Sequence, residues 1–412
     1  MKKQILYLSY DGMTDPLGQS QVLPYIIGLT KNGYEFTLIS CEKKEKYLEN
    51  KTIIENICLA NNIDWQPLFY TKKPPILSTL WDIIKLSRLA KATHKKKQFK
   101  LIHCRSYISA LIGLVFKKKY GIKFLFDMRG FWADERVDGE LWDLKKLHYR
   151  IIYNFFKKKE KEFLSYADKV VSLTENGKNE MLSWNIPNLT NDKIEVIPCT
   201  ADYDLFDLVT NKKRKLAKLN LGLKPSQFVL SYIGSLGTWY LMDEMMHFFS
   251  ILQKKIPNAK FLFLTPDSKN IILHQAKKHN LNEADFIIKF SSRKDLPQYI
   301  HASDFSIFFI KPAYSKKSSS PTKMGELMAM GVPIICNNNV GDVELIMNQC
   351  NVGYCLTKLN SSSYEDIAHQ LNKWNANTPE NIRENSKQFY DLKNGLDRYR
   401  SIYDDLMQDI SE

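Results

Sequence analysis

Eleven short apolar runs, each five to eight residues long and separated by polar turns and helical periods, constrain the fold of this 412-residue chain more than any other feature. In the first half they are QILYLSY (4–10), YEFTLIS (34–40), KLIHC (100–104), KFLFDMR (123–129), KVVSLT (169–174) and KIEVIPC (193–199). In the second half they are FVLSYIG (228–234), AKFLFLT (259–265), DFIIKFSS (285–292), DFSIFFIK (304–311) and VPIICN (332–337). Apolar spacing of the helical kind falls between them, over 18–33, 77–97, 141–166, 240–254, 269–280 and 294–301. Strands that alternate with helices predict parallel sheets covered on both faces. A chain of this length exceeds one ordinary core, so the restart near residue 200 predicts two doubly wound α/β domains, 1–200 and 201–390. The polar amphipathic run QFYDLKNGLDRYRSIYDDLM predicts a terminal helix over 391–412 that packs back on the first domain.

Composition narrows the class. Hydrophobic residues make up 44% and charged residues 25% of the chain, a globular balance. No segment approaches the roughly 20 apolar residues of a membrane span, and MKKQILYLSYDG reads as a strand and turn, not a leader. The seven cysteines are scattered and contain no C-x-x-C pair, which argues against a disulfide framework or structural zinc and for a reducing cytoplasm. The net charge of +14 is concentrated: residues 51–150 hold 20 basic and 9 acidic side chains, a local +11. A nucleic-acid patch and an anionic lipid surface both fit that excess. In 77–97, Leu80, Trp81, Ile84, Leu86, Leu89 and Ala90 are interleaved with Lys85, Arg88, Lys91 and Lys95–Lys97, and RIIYNFFKKKEKEF (150–163) adds a second aromatic and lysine stretch. Such helices can lie on an anionic membrane face.

In open α/β sheets ligands bind beyond the carboxyl ends of strands, and two such domains would face each other across a cleft. Three stretches stand there. SSSPTKMGELMAMGVPII (318–335) starts a helix with Ser320 as expected cap, Pro321 at the first position, then Thr322 and Lys323. Open N–H groups and the dipole favour an anion, and Lys323 would face it. Glu326 lies one turn on, either as the wet face of the helix or as an acceptor for two sugar hydroxyls. GSLG (234–237) places Gly234 and Ser235 where backbone can approach a phosphate, and SYDGMTDPLGQSQ (9–21) is a long polar loop carrying Gly18 and Gln19. FDMRGFWADERVDGELW (126–142) holds Asp127 and Arg129 beside Phe131 and Trp132, with Arg105 and Tyr107 after the neighbouring strand. Arg129, Asp127 and Arg105 are the catalytic candidates. Tyr107, Phe131 and Trp132 are candidates to stack on an acceptor sugar; a salt-bridged loop over buried aromatics is the competing account.

The order of these pieces resembles retaining glycosyltransferases of family 4, which have the GT-B fold. The segment E326-L-M-A-M-G-V-P is similar to the family's E-x-M-A-x-G-x-P, KIEVIPCTADYDLF (193–206) to its interdomain junction with Asp202 and Phe206 in place, and ASDFSIFF to the segment before its donor loop. GQSQVLPYIIGLTKNGYEFTLIS resembles its first loop and helix. The chain departs where the family often has a glutamate eight residues before Glu326: here stands Ser318. The arginine and lysine usual after FVLSYIG are also missing, which leaves Lys323, Arg293 or backbone N–H groups to neutralise donor phosphates. The resemblance implies that Glu326 binds the donor ribose, that transfer retains anomeric configuration with neither metal nor protein nucleophile, and that a UDP- or GDP-sugar is co-substrate with no other cofactor. It further implies a glycan or lipid-linked acceptor on the first domain and, together with the charge, a role in cell-surface polysaccharide assembly; the amphipathic, basic 72–161 region predicts a cytoplasmic enzyme held at the inner membrane. A nucleotide-sugar epimerase shares such folds but calls for a proton-abstracting pair that the sequence lacks. A basic nucleic-acid-binding or scaffold protein calls for a recognition motif, and none is present.

Overall fold

The computed structural model describes residues 3–74, 76–371 and 373–408. The outer limits of the expected domains at residues 1 and 412, and the last four positions of the expected terminal helix, lie outside the described residues. The chain divides into two compact units: the described residues through Pro198 with Lys317–Ser319 and the chain from Leu392 onward, and Cys199–Lys316 with Ser320–Asp391.

The first unit carries strands β1 (Lys3–Ser9), β2 (Tyr34–Glu42), β3 (Asp64–Phe69), β4 (Leu101–Arg105), β5 (Lys123–Asp127), β6 (Lys169–Ser172) and β7 (Ile194–Val196). They form one parallel sheet in the order β3-β2-β1-β4-β5-β6-β7. Its helices are α1 (Pro16–Gln21), α2 (Leu23–Thr30), α3 (Lys44–Ala60), α4 (Leu77–Lys97), α5 (Ser106–Tyr120), α6 (Trp132–Asp138), α7 (Leu147–Tyr166) and α8 (Glu175–Ser183). Register sets Ser9 beside Arg105 and Arg105 beside Asp127, so three strand ends deliver their side chains in one row. Strand β3 has no apolar alternation and contains Pro67. It lies at the sheet edge, where a missing N–H costs no ladder bond. The single helix expected over 18–33 is two, because Pro24 has no N–H to donate back and its ring crowds the carbonyl of Ser20. Likewise, the helix expected from Leu141 begins at Leu147, preceded by the short α6.

The second unit carries β8 (Val229–Ile233), β9 (Lys260–Leu264), β10 (Phe286–Lys289), β11 (Phe305–Phe308), β12 (Ile334–Asn337) and β13 (Gly353–Leu356), again all parallel, in the order β10-β9-β8-β11-β12-β13. Around them lie α9 (Asn211–Asn220), α10 (Met242–Lys255), α11 (Lys269–Lys278), α12 (Leu296–Ile300), α13 (Thr322–Ala329), α14 (Val343–Cys350), α15 (Ser361–Leu371) and α16 (Pro379–Tyr390). The last helix, α17 (Leu392–Gln408), belongs to the first unit, where Tyr399, Ile402, Tyr403 and Leu406 enter the same core as α2 and β2. On the opposite face of that sheet, α4, α5 and α7 close a separate core around Phe124, Phe126 and Phe163. Each unit is therefore a doubly wound α/β sheet, as the strand pattern predicts. All seven cysteines are free, and no described helix is long and apolar enough to cross a membrane.

Candidate functional site

In the second unit, α13 starts at Thr322 behind Pro321, and no side chain caps it. Ser320 is not the cap expected from sequence: its hydroxyl is turned away to accept the Cys199 N–H at 3.2 Å. Nor is the helix half-wet. Every residue from Lys323 to Ala329 is buried, because α13 is covered by α16 as well as by the sheet. Lys323 is only 7% exposed, yet its ammonium has no hydrogen-bond partner among the described residues. It rests on aromatic faces, 3.6 Å from the Tyr240 ring centre and 4.0 Å from that of Tyr232. Burial holds its proton affinity well below the usual lysine range, with Glu326 opposing. Beside it the chain leaves β8 through Gly234, in left-handed backbone at φ +97°. A Cβ there would stand 3.6 Å from the Lys323 Nζ. The glycine thus leaves bare backbone against a cation that lacks an acceptor. Exposed Ser235 follows, its carbonyl accepting the Tyr232 hydroxyl at 2.6 Å.

Glu326 is not an open carboxylate. Its Oε1 accepts Arg293 Nη1 at 2.6 Å, and the Arg293 guanidinium lies 5.2 Å from the Phe206 ring centre. Arg293, expected to meet donor phosphate, is thereby committed to Glu326. A charge-assisted bond of that length holds both groups in place. Trp239 and Tyr240, missed as site residues, seat Lys316 and Lys323 respectively. Their only sequence signal is two adjacent aromatics in the loop after a strand.

In the first unit, the row of strand ends assembles a buried charged cluster. Asp127 is 1% exposed and lies 3.7 Å from Arg105 Nη1, 3.8 Å from Arg129 Nη1 and 3.7 Å from His103 Nε2. Its Oδ2 accepts the Tyr399 hydroxyl at 3.3 Å. Burial alone would raise its carboxyl, but Arg129, His103 and Arg105 outweigh that and hold it below the usual carboxylate range. Burial also keeps His103 neutral, its Nδ1 2.6 Å from the Tyr403 hydroxyl. Arg105 reaches outward as well, donating from Nε to Asp11 at 3.3 Å. Arg129 takes left-handed backbone at φ +56°, unusual for a residue with a side chain and a form of strain that persists only where surroundings impose it. The sequence-chosen Arg105, Asp127 and Arg129 are therefore brought together.

The loop before α1 depends on a residue that the sequence reading missed. Glu42, with no solvent exposure, accepts Met13 N–H at 2.7 Å, Thr14 N–H at 3.0 Å, and the hydroxyls of Thr14 and Ser40 at 2.5 Å each. Gly18 is buried against that loop; a Cβ there would come within 2.2 Å of the Gly12 carbonyl. Gln19 donates to the Thr14 carbonyl at 3.2 Å. A glutamate at the end of YEFTLISCE reads as an ordinary strand terminus, so only the folded loop reveals its role.

The aromatic candidates are corrected by burial. Tyr107 and Phe131 are core residues, 0% and 1% exposed respectively. Tyr107 packs on Phe126 and Phe163 with its hydroxyl on buried Glu160, and Phe131 meets Trp184. Neither presents a face to a sugar: helix α7 covers Tyr107 through Phe156, Glu160 and Phe163, and Phe131 is buried against Trp184 after α8. Trp132 is half-buried, edge-on to Trp142 and Phe156, with Arg136 over its ring. Ser318 also belongs to this unit: its Oγ accepts the Phe131 N–H at 2.9 Å. It is 3% exposed and lies beside Gly130 and Gly177.

Residues 22–205 match the family described as Glycosyltransferase Family 4, and residues 213–389 that described as Glycosyl transferases group 1. No curated protein sequence matches the chain significantly. Among solved structures, sucrose-phosphate synthase from Thermosynechococcus elongatus superposes with a TM-score of 0.73 at 14% identity, covering 98% of this chain and 99% of that one. Anabaena HepE in complex with UDP-glucose gives 0.70 at 14%, covering 99% of both chains. A glycosyltransferase from Rickettsia africae gives 0.69 at 18%, covering 98% and 99%. Likeness at these identities speaks for the fold, and the two family matches, laid end to end on two doubly wound sheets, speak for the chemistry: the chain is a glycosyltransferase of the GT-B fold.

Proposed function

We propose that the enzyme transfers a sugar, with retention and without metal, from a UDP- or GDP-sugar held by the second unit to a glycan or lipid-linked acceptor held by the first. The observation that carries this reading is Lys323, a buried ammonium that lacks an acceptor beside the bare backbone of Gly234. A diphosphate seated there supplies the missing acceptor. The open first-turn N–H groups of α13 at Thr322, with Ser235, add donors to the same anion. Glu326, with Arg293 behind it, accepts the ribose hydroxyls. HepE, which binds UDP-glucose on the same fold, supports a uridine donor. In the reaction the bond from the anomeric carbon to the diphosphate oxygen breaks, a bond to the acceptor oxygen forms on the same face, and the acceptor's proton passes to the departing phosphate. Charge developing on that phosphate is met by preorganised donors. Arg105, Asp127 and Arg129 orient the acceptor. Cell-surface polysaccharide assembly at the cytoplasmic face of a membrane fits the basic first unit.

Mixing the protein with UDP- and GDP-sugars tests the reading by thermal shift and by product analysis. One of them raises the melting temperature, since a ligand of the folded state stabilises it. Glu326→Gln then raises donor KM and lowers kcat. Conversion of the nucleotide sugar with no acceptor present points instead to an epimerase. Unchanged donor KM in Glu326→Gln removes the ribose assignment.

A further inference from the structure

Helix α4 buries one stripe, Ser78, Asp82, Leu86, Ala90 and Thr93, against the first unit's core. The opposite side has a pattern of its own. Leu77, Trp81, Ile84, Arg88, Lys91 and Lys95 follow one another in alternating steps of four and three, which is a single straight line along a helix. The first half of the line is apolar and uncovered: Leu77 is 63% exposed, Trp81 51% and Ile84 41%, with Leu80 beside them at 52%. The second half is cationic. Arg88, Lys91, Lys95 and Lys96 have no acidic partner among the described residues. The helix's one acid, Asp82, is buried and taken by Thr71, Tyr10 and Lys85.

Helix α7 repeats the arrangement on the same face of the sheet, where both helices flank α5. Leu147, Ile151 and Phe155, in steps of four, are 61%, 59% and 45% exposed, and Lys146, Arg150, Lys158 and Lys161 stand exposed among them. Scattered surface leucines need no explanation, but two ordered apolar lines interleaved with cations on one layer do.

We infer that this outer layer of α4 and α7 docks flat on an anionic lipid bilayer. It deepens the membrane partner proposed above and does not depend on the glycosyl chemistry. Only a bilayer surface satisfies the apolar and the cationic side chains of both helices together: acyl chains take Leu77, Trp81, Ile84, Leu147, Ile151 and Phe155, while acidic headgroups take the lysines and arginines. Nucleic acid would neutralise the cations but leave the apolar side chains in water. A second copy of this face would set cation against cation.

The test is flotation of the full-length protein with vesicles of phosphatidylcholine alone and of phosphatidylcholine with one-third phosphatidylglycerol. Binding is expected only to the anionic vesicles and is expected to weaken with salt. The combined variant Leu77→Ser, Trp81→Ser, Ile84→Ser loses at least about tenfold in partition, from the apolar area removed. Lys91→Glu with Lys95→Glu loses as much, since it replaces attraction by repulsion. All these side chains are exposed, so both variants keep the parent's melting temperature and its response to nucleotide sugar. Equal vesicle binding by either variant overturns the inference. So does absence of binding to anionic vesicles, or a dimer in sedimentation that the serine variant abolishes. Retention of single-stranded DNA without vesicle binding assigns the face to nucleic acid instead.

Discussion

Replacing Lys323 by methionine separates its proposed role from any role in folding. The two side chains are nearly the same length, so the change removes charge with little change of volume. In the unliganded protein the ammonium has lost its hydration, has no hydrogen-bond acceptor, and retains two aromatic faces at 3.6 and 4.0 Å and the Glu326 charge. Burying an ion costs several kcal/mol, and each aromatic face returns about 1–2 kcal/mol. The terms nearly cancel, so Lys323→Met should be neutral or stabilising by about 1 kcal/mol, or roughly 2–4 °C in melting temperature. Donor affinity should fall, because one charge-assisted bond to phosphate is worth about 1.5–3 kcal/mol, or roughly 10- to 150-fold. The pH dependence follows from the lowered proton affinity. Between the folded value and the ordinary lysine value of about 10.4, the unfolded chain binds more protons than the folded one. The parent's stability relative to Lys323→Met therefore rises with pH across that window and is lowest beneath the folded value. Phosphate binding favours the charged form, so at pH values near or above the folded value titration calorimetry in buffers of different ionisation enthalpy should register proton uptake by the parent and none by the variant. The reasoning fails if Lys323→Met loses more than about 2 kcal/mol of stability while binding nucleotide sugar as well as the parent. Lys323 would then be a structural cation.

Two further substitutions test the first unit. Glu42→Gln puts an amide N–H₂ among four donors and should cost about 2–4 kcal/mol, read from denaturant midpoints, whereas Glu42→Asp should recover part of the loss. Stability equal to the parent's would show that the loop does not need its anchor. Tyr107→Phe leaves Glu160 with a missing donor and should cost about 1–3 kcal/mol without changing acceptor KM; an acceptor KM raised tenfold would restore Tyr107 to the acceptor site.

The two sheets were legible in the sequence because fully buried parallel strands must be continuous apolar runs. The strands that escaped notice, β3 and β13, lie at sheet edges, where half-buried residues need no such run. The candidates Lys323 and Glu326 stand out in sequence at a helix start, and Arg105, Asp127 and Arg129 at strand ends, where the register of the first sheet brings that trio together. The converse error was to read aromatics amid charged sequence as exposed. Of the charges in 126–142 only Glu135, Arg136 and Asp138 lie on the wetter side of α6, while Asp127 and Asp134 are buried; Tyr107 turns inward under α7 and Phe131 against Trp184.

Sequence alone therefore determined the layered α/β architecture, its division in two, the basic first half and the charges poised at strand ends. Periodicity and charge are local properties and survive in one dimension. Partnership is not local. That Arg293 sits on Glu326 thirty-three residues away, that Lys323 finds two rings and no acceptor, that Glu42 shapes the loop of Gly12, and that Tyr399 from the last helix meets Asp127 was decided only when the sheets closed. Burial is what turns those encounters into chemistry. In a dry site each unpaired donor or charge costs far more than in water, which is why the buried Lys323 ammonium carries the proposed donor site.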